Sequence, residues 1–347
     1  MKSLDEYLTQ AFKHGASDVH LTSRHTPLMR IHGELAALDT EPIDEETLTG
    51  LLLKIVSPEQ REQFLKNYEL DFAYEIEGLS RFRVNLFYQM RGIAAAFRTI
   101  PMRIFTLEEL KMPKGIYDLA RLKKGLVVVT GPTGSGKSTT LAGMIDLINE
   151  ERHDHILTIE DPIEYTHASK KCLINQRELH AHTHSFANAL KSALREDPDV
   201  ILVGEMRDLE TIALAITAAE TGHLVFGTLH TKSASETVDR IIDVFPSDQQ
   251  QQIRTMLANT LQGVVAQRLL RRADGKGRVA VTAVLVATPA IRNLIRENKT
   301  HQIYSAIQTG GQNNMQTLDQ SLLYYYNLGQ ISLEDAQREA HDKHSFK

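Results

Sequence analysis

Leu4, Tyr7, Leu8, Ala11 and Phe12 recur at helical spacing, and Ser3 followed three residues later by Glu6 has the form of a capping box. Short alternating or apolar runs come next, at Asp18–Leu21, Leu28–Ile31, Glu34–Leu38, Leu70–Ile76, Arg81–Phe87 and Ile93–Ile100. Gly33, Gly78 and Gly92 supply turns between several of them. Two helical segments, near Glu45–Val56 and Pro58–Asn67, interrupt the strands. The pattern predicts a small α+β domain over residues 1–100, an antiparallel sheet with helices on one side.

Residues 101–115 contain Pro101 and Pro113 and carry no strong period, so they are expected to be a linker. From Leu126 strands alternate with helices: Leu126–Thr130, Lys137–Asn149, Ile156–Glu160, Phe186–Arg195, Val200–Val203, Leu209–Glu220 and Leu224–Thr228. That alternation argues for a parallel sheet with crossover helices. After about Ser233 helices are expected to dominate, including Thr317–Leu328 and a last one near Ser332–Ala340. The expected fold class is therefore α/β, with a larger domain over residues 116–347 and a smaller α+β domain ahead of it.

Composition narrows the function classes. A chain of 347 residues with 42% hydrophobic and 24% charged residues is long enough for two domains and a sizeable core. A net charge of −5 gives no overall footprint for nucleic acid, and no basic stripe is visible. The single cysteine, Cys172, excludes an internal disulfide and any zinc site built from several thiolates, which points to a reducing, cytoplasmic compartment. Cys172 itself reads as a buried small residue. The first fifteen residues lack the basic segment and apolar run of a signal peptide. The stretches Gly125–Thr130 and Val279–Ile291 are too short or interrupted to cross a bilayer, so no direct membrane insertion is expected.

The chemistry begins at Gly131-Pro132-Thr133-Gly134-Ser135-Gly136-Lys137-Ser138-Thr139, a complete G-x-x-x-x-G-K-[ST] loop between an apolar run and a helix-forming segment. Glycines let backbone N–H groups converge on phosphate oxygens, and the following helix directs its positive end there. Lys137 is expected at the β- and γ-phosphates and Ser138 on Mg²⁺, so the chain should bind and hydrolyse ATP.

Two acidic clusters end hydrophobic strands: Glu160, Asp161 and Glu164 after Ile156–Ile159, and Glu205 after Val200–Gly204. Ligands of open α/β sheets bind at the carboxyl ends of the strands, so both clusters should face the nucleotide. The usual Mg²⁺-linked aspartate after the second strand is replaced by Gly204. Glu164 is accordingly assigned as general base and Glu205 as organiser of Mg²⁺ and its water. His223 and His230 bracket Leu224–Leu229 and should sit at opposite ends of one strand; they are either structural or sensors of the γ-phosphate. His180, His182 and His184 alternate, yet no partner ligands accompany them, and they read as solvated loop residues. Arg81, Arg83, Arg98, Arg195 and Arg207 are either surface ion-pair partners or, supplied in trans, stabilisers of transition-state charge.

Taken together, the loop Gly131–Thr139, the acidic box Ile156–Glu164, the Gly204-Glu205 strand end and the histidine box Thr221–Thr231 resemble the secretion-ATPase superfamily of type II secretion and type IV pili. Ala16–Leu21 is similar to the start of that family's N-terminal domain, and Arg81–Asn85 to its arginine-bearing strand. Ala290-Ile-Arg-Asn-Leu-Ile-Arg-Glu297 resembles the signature of the pilus-retraction motors within it. The resemblance implies a PAS-like N-terminal domain, a RecA-like ATPase domain and a homo-hexamer with nucleotide between domains. It also implies that Glu164 is the catalytic glutamate, Glu205 the Walker B acid and His223 and His230 the histidine-box residues. Arg81, Arg83, Arg195 and Arg207 match arginines that contact phosphate within or across subunits. The implied partners are an inner-membrane platform protein and the pilus machinery, at the cytoplasmic base of the pilus. An accessory retraction paralogue is the near alternative. An assembly or secretion ATPase of the same superfamily is disfavoured by the short N-terminus and the lack of four cysteines.

Overall fold

The structure, a computed structural model, describes residues 2–31, 33–100 and 103–346. The chain divides into two compact units, with the division between Arg103 and Ile104. The first contains α1 (Leu4–Lys13), β1 (Asp18–Thr22), β2 (Leu28–Ile31), β3 (Glu34–Ala37), α2 (Glu45–Leu53), α3 (Pro58–Asn67), β4 (Glu69–Ile76), β5 (Ser80–Gln89) and β6 (Gly92–Ile100). Its six strands run β3-β2-β1-β6-β5-β4, every neighbouring pair antiparallel. Ser3 and Glu6 close their capping box, as the sequence pattern expects, and Ser57 with Gln60 makes a second one. Alternate residues of β5 (Phe82, Val84, Leu86) join Leu8, Leu21, Leu48, Leu52, Phe64 and Phe97 in a core closed to solvent.

The expected linker is mostly not one. Pro101 lies outside the described residues, but from Ile104 the chain belongs to the second unit, where Leu107 and Met112 are buried. Apolar side chains at these two positions draw the segment onto the core although it has no period of its own.

The second unit continues with α4 (Lys114–Ala120), β7 (Gly125–Thr130), α5 (Lys137–Glu151), β8 (His155–Glu160), β9 (Leu173–Glu178), α6 (Phe186–Ala193), β10 (Val200–Val203), α7 (Leu209–Glu220), β11 (Leu224–Leu229), α8 (Ala234–Asp243) and α9 (Ser247–Thr260). It ends with β12 (Leu261–Arg271), β13 (Arg278–Val286), α10 (Pro289–Arg296), α11 (Ile303–Gln308), α12 (Leu318–Asn327) and α13 (Leu333–Glu339). Its seven-stranded sheet has the order β13-β12-β7-β11-β10-β8-β9, parallel except for the β12–β13 pair. Apolar clusters cover both faces, one including Leu126, Val128, Ile201 and Val225, the other Val127, Val129, Leu202 and Phe226. That explains why β7, β10 and β11 are buried at every position and read as unbroken apolar runs.

Helices dominate after Ser233 as expected, α12 and α13 among them, but β12 and β13 form a long hairpin there that the residue pattern does not announce. β12 is buried along most of its length and follows α9 without an intervening loop, so neither alternation nor a turn residue announces its start. The Asp274-Gly275-Lys276-Gly277 turn, with Gly275 and Gly277 both at positive φ, is the local signal for the hairpin.

Candidate nucleotide site

The parallel register brings the carboxyl ends of four strands together. Leu229 pairs with Thr130, and Val203 is level with both Gly227 and Ile159. Residues at or just past these strand ends therefore share one rim of the sheet: Gly131, Glu160, Glu205 and His230.

The loop after β7 turns through glycines at positive φ, Gly131 at 147°, Gly134 at 78° and Gly136 at 87°. Gly136 begins α5 without a side-chain cap, so the first N–H groups of that helix are left for a ligand. Pro132, Thr133 and Gly134 form the exposed lip, Ser138 is half-buried, and the Oγ of Ser135 is buried without a hydrogen-bond partner among the described residues. An uncapped helix end and an orphaned hydroxyl inside a glycine turn fit a phosphate group.

Lys137 folds back over the loop, its Nζ donating to the carbonyls of Gly131 at 2.9 Å and Pro132 at 3.3 Å and lying 3.5 Å from Nδ1 of His230. Burial pushes its ammonium pKa down, while the nearby carboxylates of Glu205 and Glu164 work in the opposite direction. Burial also works against the ionised form of Glu205, but the guanidinium of Arg207, 2.6 Å away, together with His230 and Lys137, holds that carboxyl below its ordinary range. Nε2 of His230 lies 3.1 Å from Glu205 Oε1. Glu205 is thus an ionised acceptor placed between cationic and imidazole groups.

Glu164 is exposed on the loop after β8, with its backbone N–H 3.4 Å from Glu160 Oε2. Burial raises the pKa of Glu160 to about 7, against hydrogen bonds from Thr158, the Glu164 N–H and Gln176 that favour the charged form. Gly204 has a local reason to be glycine. A Cβ there would lie 3.1 Å from both Glu160 Cα and the Ile159 carbonyl, so the aspartate common at this place would press against the end of β8.

Three contacts at this rim were not visible in the residue pattern. Tyr165, beside Glu164, is buried and shares a 2.8 Å hydrogen bond with Thr139, tying the acidic box to α5. The hydroxyl of Thr130 meets that of Thr231 at 2.7 Å, and Thr231 meets Thr237 at 2.7 Å, a buried chain from the loop's base to α8. Adjacency to Glu164 was the one available hint for Tyr165; the threonines carry none.

His223 and Arg195 are not gathered at this rim. His223 stands at the opposite end of β11, its carbonyl accepting from the Gly125 N–H at 2.9 Å and its Nδ1 2.9 Å from the Ala218 carbonyl. Six strand residues, about 20 Å, separate it from His230. Arg195 is exposed before β10, at the end of that strand away from Glu205. Arg81 and Arg83 belong to β5 of the first unit, opposite Ile100 and Arg98. Arg98 itself pairs with Asp18 at 3.0 Å. His180, His182 and His184 form no metal-ligating cluster, nor does any other group among the described residues. Cys172 is buried, with burial raising its thiol pKa.

Residues 1–338 match the family described as Type II/IV secretion system protein. The type IV pilus retraction ATPase PilT of Pseudomonas aeruginosa is 52% identical over 343 residues, spanning 99% of both chains. A twitching motility protein of Neisseria gonorrhoeae is 56% identical over 321 residues, covering 92% of this chain and 86% of its own. The crystal structure of the pilus retraction motor PilT with bound ADP superposes with a TM-score of 0.93 at 48% identity, over 99% of each chain.

Proposed function

The chain belongs to the type II/IV secretion system protein family, and from that membership we infer an ATPase that drives the retraction of a type IV pilus. The observation that carries the reading is the convergence of Lys137, Glu205 and His230 beside the uncapped start of α5. The ADP-bound relative of the same fold supports a nucleotide at this rim.

In this reading the loop N–H groups of Gly131–Thr139 and the ammonium of Lys137 hold the β- and γ-phosphates of ATP. Lys137 exchanges its carbonyl contacts for phosphate oxygens as nucleotide arrives. Ser138 and Glu205 would hold Mg²⁺, which would supply neutralisation of charge on the triphosphate. Glu164 orients water and accepts its proton, and His230, resting on Glu205, senses whether the γ-phosphate is present. Catalysis is then mostly positioning and charge stabilisation.

Work on the pilus requires more than one chain. The active form is proposed to be a homo-hexamer at the cytoplasmic side of the inner membrane, acting on a platform protein of the pilus machinery. Among the described residues no helix is long and apolar enough to cross a membrane, which suits attachment through such a partner. His223 and Arg195 of the second unit, which lie away from this rim, and Arg81 and Arg83 of the first unit are proposed to serve nucleotide at the subunit boundaries. Differential affinity for nucleotide between subunit arrangements would convert hydrolysis into movement.

Deleting the protein from a piliated host tests the reading. Excess surface fibres with lost twitching support retraction; bald cells would transfer the protein to pilus assembly. Purified protein should also show Mg²⁺-dependent ATP turnover, and its absence would remove the motor.

A further inference from the structure

Gln267 projects from the middle of β12 and is 1% exposed. Its Nε2 donates to the Ser135 carbonyl at 2.7 Å, and its Oε1 accepts from the Thr140 hydroxyl at 2.8 Å. Its own carbonyl lies where a Cβ on Gly131 would come within 2.4 Å, and its Nε2 where one on Gly136 would come within 2.8 Å. One buried residue therefore meets the loop at its first glycine, its last glycine, the carbonyl between them and the first turn of α5.

We propose that Gln267 is the positioning residue of the phosphate loop, holding its backbone in the phosphate-accepting curve before nucleotide arrives. A trans peptide directs its C=O and N–H to opposite sides. With the Ser135 carbonyl drawn inward to Gln267, the N–H of Gly136 is turned outward, toward the mouth of the loop. A free glycine-rich loop would have to order that peptide on binding, at a cost in conformational entropy. A carboxamide suits this position because one end donates to a carbonyl while the other accepts from a hydroxyl. Methionine would keep the length and lose both bonds; a carboxylate would face the Ser135 carbonyl with no donor. The register of β12 against β7, Ala266 level with Thr130, places the group at this height.

The inference rests on the nucleotide reading of Gly131–Thr139, and the experiment separates the two. Nucleotide-free stability, ADP and Mg·ATP affinity by calorimetry, and kcat and KM are measured for Gln267→Met, Thr140→Val, Thr140→Ser and the Gln267→Met/Thr140→Val pair. Gln267→Met is expected to weaken ADP binding about tenfold or more and to raise KM. Thr140→Val is expected to weaken binding less, Thr140→Ser to bind as the parent does, and the pair to lose no more than Gln267→Met alone. Reduced melting temperature with unchanged ADP affinity would make Gln267 merely structural and overturn the proposal. Should Gln267→Met not fold, parental affinity in Thr140→Val overturns it and a loss rescued by serine supports it. A parent chain that binds no Mg·nucleotide would remove the loop's function, and this role with it.

Discussion

Glu205 and His230 meet at 3.1 Å across the carboxyl ends of two parallel strands, Oε1 facing Nε2, while the other carboxylate oxygen holds Arg207. The contact depends on register: Val203 is level with Gly227, so the residues past β10 reach the residue past β11. An acid at this place can hold a cation and report its presence to a histidine at once.

Replacing Glu205 by alanine should uncouple nucleotide binding from the metal. For the parent, Mg²⁺ is expected to strengthen ATP binding; for Glu205→Ala, the affinities with Mg²⁺ and with EDTA should agree within a factor of about two. Calorimetry in both buffers makes the comparison. A full Mg²⁺ effect in the variant would move the metal to another carboxylate.

Lys137 and Glu164 should separate binding from chemistry. In the proposed role of Lys137, Lys137→Ala removes a charge-assisted donor to phosphate and should weaken nucleotide binding about tenfold to a hundredfold. Glu164→Gln keeps the shape of the side chain and should bind ATP near normally while turnover falls about a hundredfold or more. Normal turnover in Glu164→Gln would strip it of the base role.

Much of this rim could be read directly. The loop declared itself because glycine, lysine and serine at fixed offsets after an apolar strand have few other uses, and the strand ends carried Glu164 and Glu205 with them. What stayed hidden depends on contacts between distant segments. Gln267 lies on a strand whose two-sided burial erased its alternation, and the linker reading failed because Leu107 and Met112 pack on a core that only the fold assembles.

Glu160 gives the protein a pH signature. Its carboxyl is held at about 7 in the folded chain, against an ordinary value of 4.5. The folded state therefore binds this proton more tightly than the unfolded state does. Stability from this group is complete below about 4.5 and is lost as pH rises through about 7. Glu160→Gln carries no such proton, so its melting temperature should gain on the parent between about pH 5 and about pH 8. A parallel pair of melting curves across that range would mean the carboxyl is not buried in solution.

The helix α10 divides the retraction-like segment into an inner and an outer part, and the two should fail differently. Ile291 and Ile295 are buried, and Arg292 reaches the end of α9, donating to the Ala258 carbonyl at 2.6 Å and the Asn259 carbonyl at 2.8 Å, and the start of β12, donating to Gln262 Oε1 at 3.0 Å. A cation on the last carbonyls of a helix satisfies acceptors that have no partner inside it. Arg292→Ala should therefore cost about 1–3 kcal/mol of stability, read by urea unfolding. Asn293 and Glu297 are exposed and bond to each other at 2.9 Å, Glu297 also pairing with Lys299 at 2.7 Å. Changing both to alanine should leave stability and ATP turnover close to the parent's, because neither side chain reaches the loop or β12. If this segment transmits force to a partner, the same double variant should abolish retraction in cells. Retained twitching in the double variant would confine the segment to a structural role, with Arg292 as its working residue.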